Sequence, residues 1–343
     1  MTTPYLLPLV FFSLSVGAAQ QNVAPNRITL DIVANDKSGK PVTGLQQQDF
    51  TVLDNKQPQK IVSFEAKDAR EPIEIVLVSD SVNAAFSRVA FERDQIKKFL
   101  QQDDGKLARP TSIALFSDAG VKILEEPSRD GKALLTDLDN NEHGLRDIRR
   151  SQGFYGAAQR TDLSLRALDQ LARIEATRPG RKIVVWISPG WPLLSGPRME
   201  LTPKAQADTF KNIVVLSNLL RESRVTLYSA NPLGSDESLS RNFYYQEFLK
   251  GVQTEKQAQF GNLALQVLAT QSGGRVFNSN NDVTNEIETS IRDADAYYVI
   301  SFDAIPADGP NDYHALEVKL AHHDLKAQTR AGYYAQPPQS HTP

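Results

Sequence analysis

Between Pro72 and Arg292 the chain alternates short, almost wholly apolar runs with stretches of helical length, and that alternation limits the fold more than any other feature. Ile73–Val78 (IEIVLV), Thr111–Phe116 (TSIALF), Lys182–Ile187 (KIVVWI) and Val225–Tyr228 (VTLY) read as buried strands, with shorter ones at Val121–Leu124 and Arg275–Phe277. A strand apolar on both faces must be covered on both, as in a parallel sheet held between two layers of helices. The intervening stretches supply those layers. Phe86, Val89, Ile96, Phe99 and Leu100 share one broad face at helical spacing, and Leu163, Leu165, Leu168, Leu171 and Ile174 mark a second helix. Thr209–Leu220, Leu263–Leu268 and Val283–Ile291 read as further helices.

On either side the period changes to two. Arg27–Ala34 (RITLDIVA), Phe50–Leu53 and Lys60–Glu65 precede the α/β part, and Tyr297–Phe302, Ala315–Leu320 and Leu325–Arg330 follow it. Neither flank has enough strands for an independently stable sheet. Residues 27–66 and 296–335 are therefore expected to complete one small antiparallel β-sandwich. The 71–295 segment is then an insertion, which a loop tip tolerates when the insert's ends lie close together. The fold class expected is α/β, a doubly wound, mostly parallel sheet inserted into that sandwich. Residues 336–343, rich in Pro, Gln and Ser, read as a flexible tail.

The first 26 residues carry no charged side chain, and Tyr5–Val16 is apolar, followed by Gly17-Ala18-Ala19. About 12 apolar residues are too few to span a bilayer but suit the core of a secretory signal. Residues 1–19 are read as a signal peptide, against the alternative of a buried N-terminal strand. The n-region lacks Lys and Arg. The expected location is secreted or periplasmic, with no transmembrane segment. The 343 residues include 38 basic and 41 acidic ones, a net charge of −3, so no strong field is available to capture nucleic acid. Cysteine is absent, which removes thiolate metal sites and cysteine nucleophiles. The histidines are five, at 143, 314, 322, 323 and 341.

In an open α/β sheet, ligands sit at the carboxyl ends of the strands where the strand order switches. Those ends are Ser79-Asp80-Ser81-Val82-Asn83, the loop before Thr161-Asp162, and Ser188-Pro189-Gly190-Trp191. Here the chain resembles the von Willebrand factor A (VWA) domain, and most of all the VWFA-related proteins of acidobacteria. The likeness runs through KSGKPVTGLQQQDFTVLDNKQPQKIVSF, IEIVLVSDSVNA, KIVVWISPGWP, VTLYSANP, LATQSGGRVF, DADAYYVISF and RAGYYA, nearly the whole mature chain. The resemblance implies a metal-ion-dependent adhesion site (MIDAS): Asp-x-Ser-x-Ser after the first strand, a Thr in a second loop, and an Asp after a later strand. Such hard oxygen donors hold an octahedral Mg²⁺ with one position open to a partner's carboxylate. In this chain Asp80 falls on the motif's Asp and Thr161 near its Thr. Val82 and Ala84 fall on the serines and Pro189 on the final Asp. The site therefore reads as degenerate, with no cofactor expected. The alternative is a Mg²⁺ site rebuilt from Asp80, Ser81, Asn83 and Thr161, although on an extended stretch Ser81 and Asn83 point away from Asp80.

Other conspicuous residues have plainer readings. Asp80 is expected to cap the next helix or bind loop amides. Neighbours His322 and His323 face opposite sides of a strand. Ser188 heads a Ser-Pro-Gly turn and not a Gly-x-Ser-x-Gly elbow, and His143 is the only histidine within the insert to serve it. Gly273-Gly274 precedes a strand and reads as a helix C-cap, not a phosphate cradle. Phe243, Tyr244, Tyr245 and Phe248, in the long 231–256 segment, fit either an exposed contact surface or helical burial. The function expected is protein–protein binding of the adhesion type without catalysis. It would use the top face of the sheet around Asp80, Asn83, Thr161, Pro189 and Trp191, the last as an interface anchor. The alternatives are the rebuilt Mg²⁺-dependent site and an exported hydrolase.

Overall fold

The computed structural model describes residues 27–71, 73–124, 126–141, 153–192, 194, 201–233, 244–307 and 309–337. The expected signal segment, His143, Phe243 and most of the tail lie outside them.

In chain order the strands of the first flank are β1 (Arg27–Asn35), β2 (Phe50–Asp54), β3 (Gln57–Gln59) and β4 (Ile61–Asp68). The α/β part then runs β5 (Glu74–Asp80), α1 (Phe86–Gln101), β6 (Lys106–Ser117), β7 (Gly120–Ile123), β8 (Ser128–Asp130), α2 (Gly131–Asn140), α3 (Gly153–Ala176), β9 (Lys182–Ile187), α4 (Pro203–Glu222), β10 (Val225–Ala230), α5 (Leu265–Gln271), β11 (Val276–Phe277) and α6 (Val283–Arg292). The second flank supplies β12 (Ala296–Asp303), β13 (Asp312–Leu320), β14 (Lys326–Gln328) and β15 (Gly332–Ala335).

The central sheet has the order β11-β10-β9-β5-β6-β7. Strands β11, β10, β9, β5 and β6 are parallel, and β7 closes the edge antiparallel to β6. Numbered within this sheet the order is 3-2-1-4-5-6, the doubly wound arrangement, and the direction of winding reverses between β5 and β9. Every residue of β5, β9 and β10 is buried. One face packs Val76, Val78, Val184 and Trp186 against α3 and α4. The other packs Ile75, Leu77, Ile183 and Val185 against α1 and α6. The helices start where the chain offers caps: Asp130 accepts from the amides of Lys132 and Ala133, and Thr202 from Ala205 just before Pro203.

Two four-stranded antiparallel sheets, β14-β1-β12-β4 and β15-β13-β2-β3, each combine strands from both flanks. Arg27 to Ile32 of β1 pair with Asp303 to Tyr298 of β12, and Phe50 to Asp54 of β2 pair with Leu320 to Leu316 of β13. The architecture is thus a doubly wound α/β sheet inserted into a small β-sandwich. Arg109, 2% exposed, ties the two crossing points together. Its guanidinium donates to the carbonyls of Glu71 (2.6 Å) and Ala294 (2.9 Å). The two parts also share core: Tyr334 of β15 packs edge-on to Phe210 of α4 and donates to the Val252 carbonyl.

Two local readings change. The helix expected from Leu163 begins ten residues earlier, at Gly153, so Thr161 lies inside α3 and not in a loop before it. Tyr244–Phe248 forms a 3-10 turn whose Phe248 packs on Ala264 and Val267, with Tyr244 and Tyr245 partly buried beside it, so these aromatics are covered. Gly273 and Gly274 do cap α5: Gly273 has φ +94°, and their amides donate to Thr270 and Ala269. A side chain on Gly274 would meet the Leu227 carbonyl at 1.8 Å.

Candidate functional site

The reversal between β5 and β9 opens the sheet at its carboxyl end, and Asp80, the last residue of β5, stands there with 0% exposure. After Asp80 the chain turns instead of continuing as a strand, so the alternation of sides stops. Asp80 Oδ1 accepts from the amides of Val82 and Asn83, both at 2.9 Å. Oδ2 accepts from Asn83 Nδ2 at 2.8 Å and from Trp186 Nε1 at 2.9 Å. Asn83 thus folds back onto Asp80, contrary to the expectation that it points away. The parity rule holds only on extended chain.

The surrounding polar groups are occupied in the same way. Asn83 Nδ2 also donates to Ser164 Oγ (2.9 Å), and that hydroxyl donates to the Arg160 carbonyl (2.8 Å). Ser81 Oγ donates to the Phe116 carbonyl (2.7 Å), which keeps it off Asp80. Thr161 Oγ1 donates to Ala157 O at 3.1 Å and lies 3.3 Å from Pro192 O. The Ser188 hydroxyl accepts from the Gly190 amide at 3.2 Å. Burial raises the Asp80 carboxyl, while its bonds from Asn83 and Trp186 pull the other way. A carboxylate has about four lone-pair sites, and hydrogen-bond donors take all four here. A cation at Asp80 would have to displace Trp186 or Asn83.

Trp191 is 4% exposed and packs edge-on against Trp186, ring centres 5.3 Å apart. It is a core side chain under the top face and not a surface anchor. Asn83 and Thr161 are buried as well, and Pro189 is half-buried. The structure gathers Asp80, Asn83 and Thr161 with Ser164 and Trp186 into one floor, with Pro189 and Trp191 on the loop beside it. Ser164 and Trp186 were not foreseen. Trp186 reads in sequence as a strand residue, and only the β5–β9 pairing, which sets Val78 opposite it, brings its indole to Asp80. An aromatic does stand out at this end: Tyr155, in the first turn of α3, is 83% exposed. At 1.5 Å per residue, it projects about 9 Å beyond Thr161.

Among the described residues no group of three or more His, Asp or Glu is placed to hold a metal ion, and no helix is long and apolar enough to cross a membrane. The hydrolase alternative finds no support at Ser188, whose hydroxyl is buried and occupied, and His143 lies outside the described residues.

No protein-family model matches the chain, and no curated protein matches it. Several solved structures are similar in shape. One is the manganese-loaded TRAP protein of Plasmodium vivax, 10% identical, TM-score 0.36, covering 81% of this chain and 100% of that one. Another is the VWA domain of SpRpn10, 12% identical, TM-score 0.31, covering 63% and 95%. A third is the pilus adhesin SpaC of Lactobacillus rhamnosus GG, 9% identical, TM-score 0.39, covering 87% of this chain and 50% of that one. On its own strand order the fold is a doubly wound sheet with helices on both faces and its crevice at Asp80.

Proposed function

We propose that this chain is an exported, non-enzymatic protein-interaction module of the adhesion type, with a degenerate metal site, that meets its partner at the carboxyl end of the central sheet. One observation carries the reading: the crevice carboxylate, Asp80, is fully buried and saturated by internal donors. Its charge is spent on holding the 80–84 turn, β9 and α3 in register, and Asp80, Asn83, Thr161 and Trp191 support the contact surface from beneath. Pro189 and Tyr155 lie nearer solvent and are the groups that touch the partner. The rebuilt Mg²⁺ site is disfavoured because Ser81 bonds Phe116 and Thr161 bonds its own helix.

The test has two arms. An ion bound only by the native state raises thermal stability by mass action, so the melting temperature should not move with millimolar Mg²⁺ or Mn²⁺. A shift of several degrees that Asp80→Ala abolishes would reinstate the metal-dependent reading. Capture from the native envelope fraction, with and without EDTA, should return the same protein partner, and Tyr155→Ala should weaken that capture at unchanged melting temperature. Export is checked by sequencing the N-terminus of natively expressed protein. Cleavage after Ala18 or Ala19 is expected, and intact Met1 would remove the claim.

A further inference from the structure

Far from Asp80, at one end of the β-sandwich, lies a buried polar group that the interaction reading does not use. Asp54 ends β2 with 0% exposure, and His314 and Tyr333 reach it from the neighbouring strands β13 and β15, where they stand directly opposite each other. His314 Nδ1 is 2.8 Å from Asp54 Oδ1, and the Tyr333 hydroxyl donates to Asp54 Oδ2 at 2.6 Å. With the carboxylate accepting from Nδ1–H, the tautomer is set and the lone pair falls on Nε2. That atom is buried, on a residue 3% exposed, and has no hydrogen-bond partner. It faces the carboxylate of Asp312, two residues earlier on the same side of β13, at 3.6 Å. The Asp312 side chain is 45% exposed, whereas Nε2 itself is covered.

We propose that His314 Nε2 and Asp312 are the protein ligands of a divalent transition ion of the zinc class, with water completing the coordination. A nitrogen and a carboxylate oxygen 3.6 Å apart are too far for a hydrogen bond. Two ligands each about 2.0–2.1 Å from a tetrahedral ion stand about 3.4 Å apart, close to that spacing. Neutral imidazole with carboxylate suits zinc and its neighbours better than Mg²⁺. Asp54 supplies what metal-bound histidines require, a carboxylate on the far ring nitrogen that orients the ring and raises its basicity. Tyr333 in turn holds Asp54. The site is independent of the crevice at Asp80 and of any protein partner.

The experiment is a Zn²⁺ titration of the chelator-stripped full chain against a fluorescent indicator, repeated with Co²⁺ and followed by thermal shift. One ion per chain is expected, with a rise in melting temperature. His314→Gln should abolish binding. Asp312→Asn, at a surface position that leaves the fold intact, should weaken it at least tenfold, and Asp54→Asn should weaken it by about 10–100-fold. The double variant His322→Ala/His323→Ala should bind as the parent does. No binding at millimolar Zn²⁺, binding unchanged in Asp312→Asn, or binding lost in the His322/His323 variant would each overturn the proposal.

Discussion

Replacing Asp80 by alanine strands several donors at once: two backbone amides, the Asn83 side chain and the Trp186 indole. Each buried donor left unpaired costs about 1–3 kcal/mol, so Asp80→Ala should lose 3 kcal/mol or more, about the scale of a whole helix cap several times over. Trp186→Phe removes one donor and should cost less, about 1–3 kcal/mol. Urea unfolding of the two variants decides it, and equal small losses would mean that Asp80 is not held as described. Glu286 makes the opposite kind of prediction. On α6, 2% exposed, its two carboxyl oxygens have no hydrogen-bond partner, and burial, aided by nearby Asp282, pushes it from 4.5 up to about 8. The folded state therefore binds this proton more tightly than the unfolded chain does. Stability is full below about pH 4.5 and falls as pH rises towards 8, by on the order of 5 kcal/mol if nothing relaxes. Melting curves from pH 5 to 8 should show that slope, and Glu286→Gln should flatten it.

At the scale of elements, what the sequence made legible was whatever rests on local periodicity. β5, β9 and β10 read as buried strands because all their residues are buried, and the alternation of RITLDIVA reappears in the pattern of β1. What escaped depends on partners distant in the chain. Gly153–Arg160 carries no apolar stripe of its own, so the start of α3 is not legible in the sequence and Thr161 reads as a loop residue. Strand parity places Asn83 on the wrong side because a turn, unlike a strand, has no fixed parity. Ser164 and Trp186 join the site through tertiary contacts alone. Trp191 was read as an anchor from its chemistry, yet a Trp is as often core as contact, and its burial against Trp186 settles which. Trp191→Ala should accordingly cost about 3–5 kcal/mol of stability, whereas Tyr155→Ala should cost less than about 0.5 kcal/mol. Denaturant midpoints measure both. A Trp191→Ala protein as stable as its parent would return that residue to the surface.

At the scale of the whole molecule, the insert and the sandwich are welded at a buried carboxylate. Asp293, between α6 and β12, accepts from Arg275 Nη2 (2.6 Å) and Nε (3.0 Å), from the Tyr228 hydroxyl (2.7 Å) and from Gln328 Nε2 (3.0 Å). Arg275 continues to Asn35 Oδ1 and the Gly39 carbonyl in the first flank, and Arg224 pairs with Asp31 of β1. These bonds join β10, the end of α6, β14 and β1 across the boundary between insert and sandwich. Both tryptophans of the chain, Trp186 and Trp191, lie in the α/β part, and indole fluorescence reports that part alone. Far-UV circular dichroism reports both. A molecule welded in this way should give coincident transitions by the two probes, the usual sign of a single cooperative unit. Asp293→Ala leaves the half-buried Arg275 guanidinium without its counter-charge and the Tyr228 hydroxyl without its acceptor, a loss of about 2–3 kcal/mol, and should lower both transitions together. If the dichroism fell in two steps, with only one matched by fluorescence, the sandwich and the insert would be separate folding units and the Asp293 network a mere contact between them.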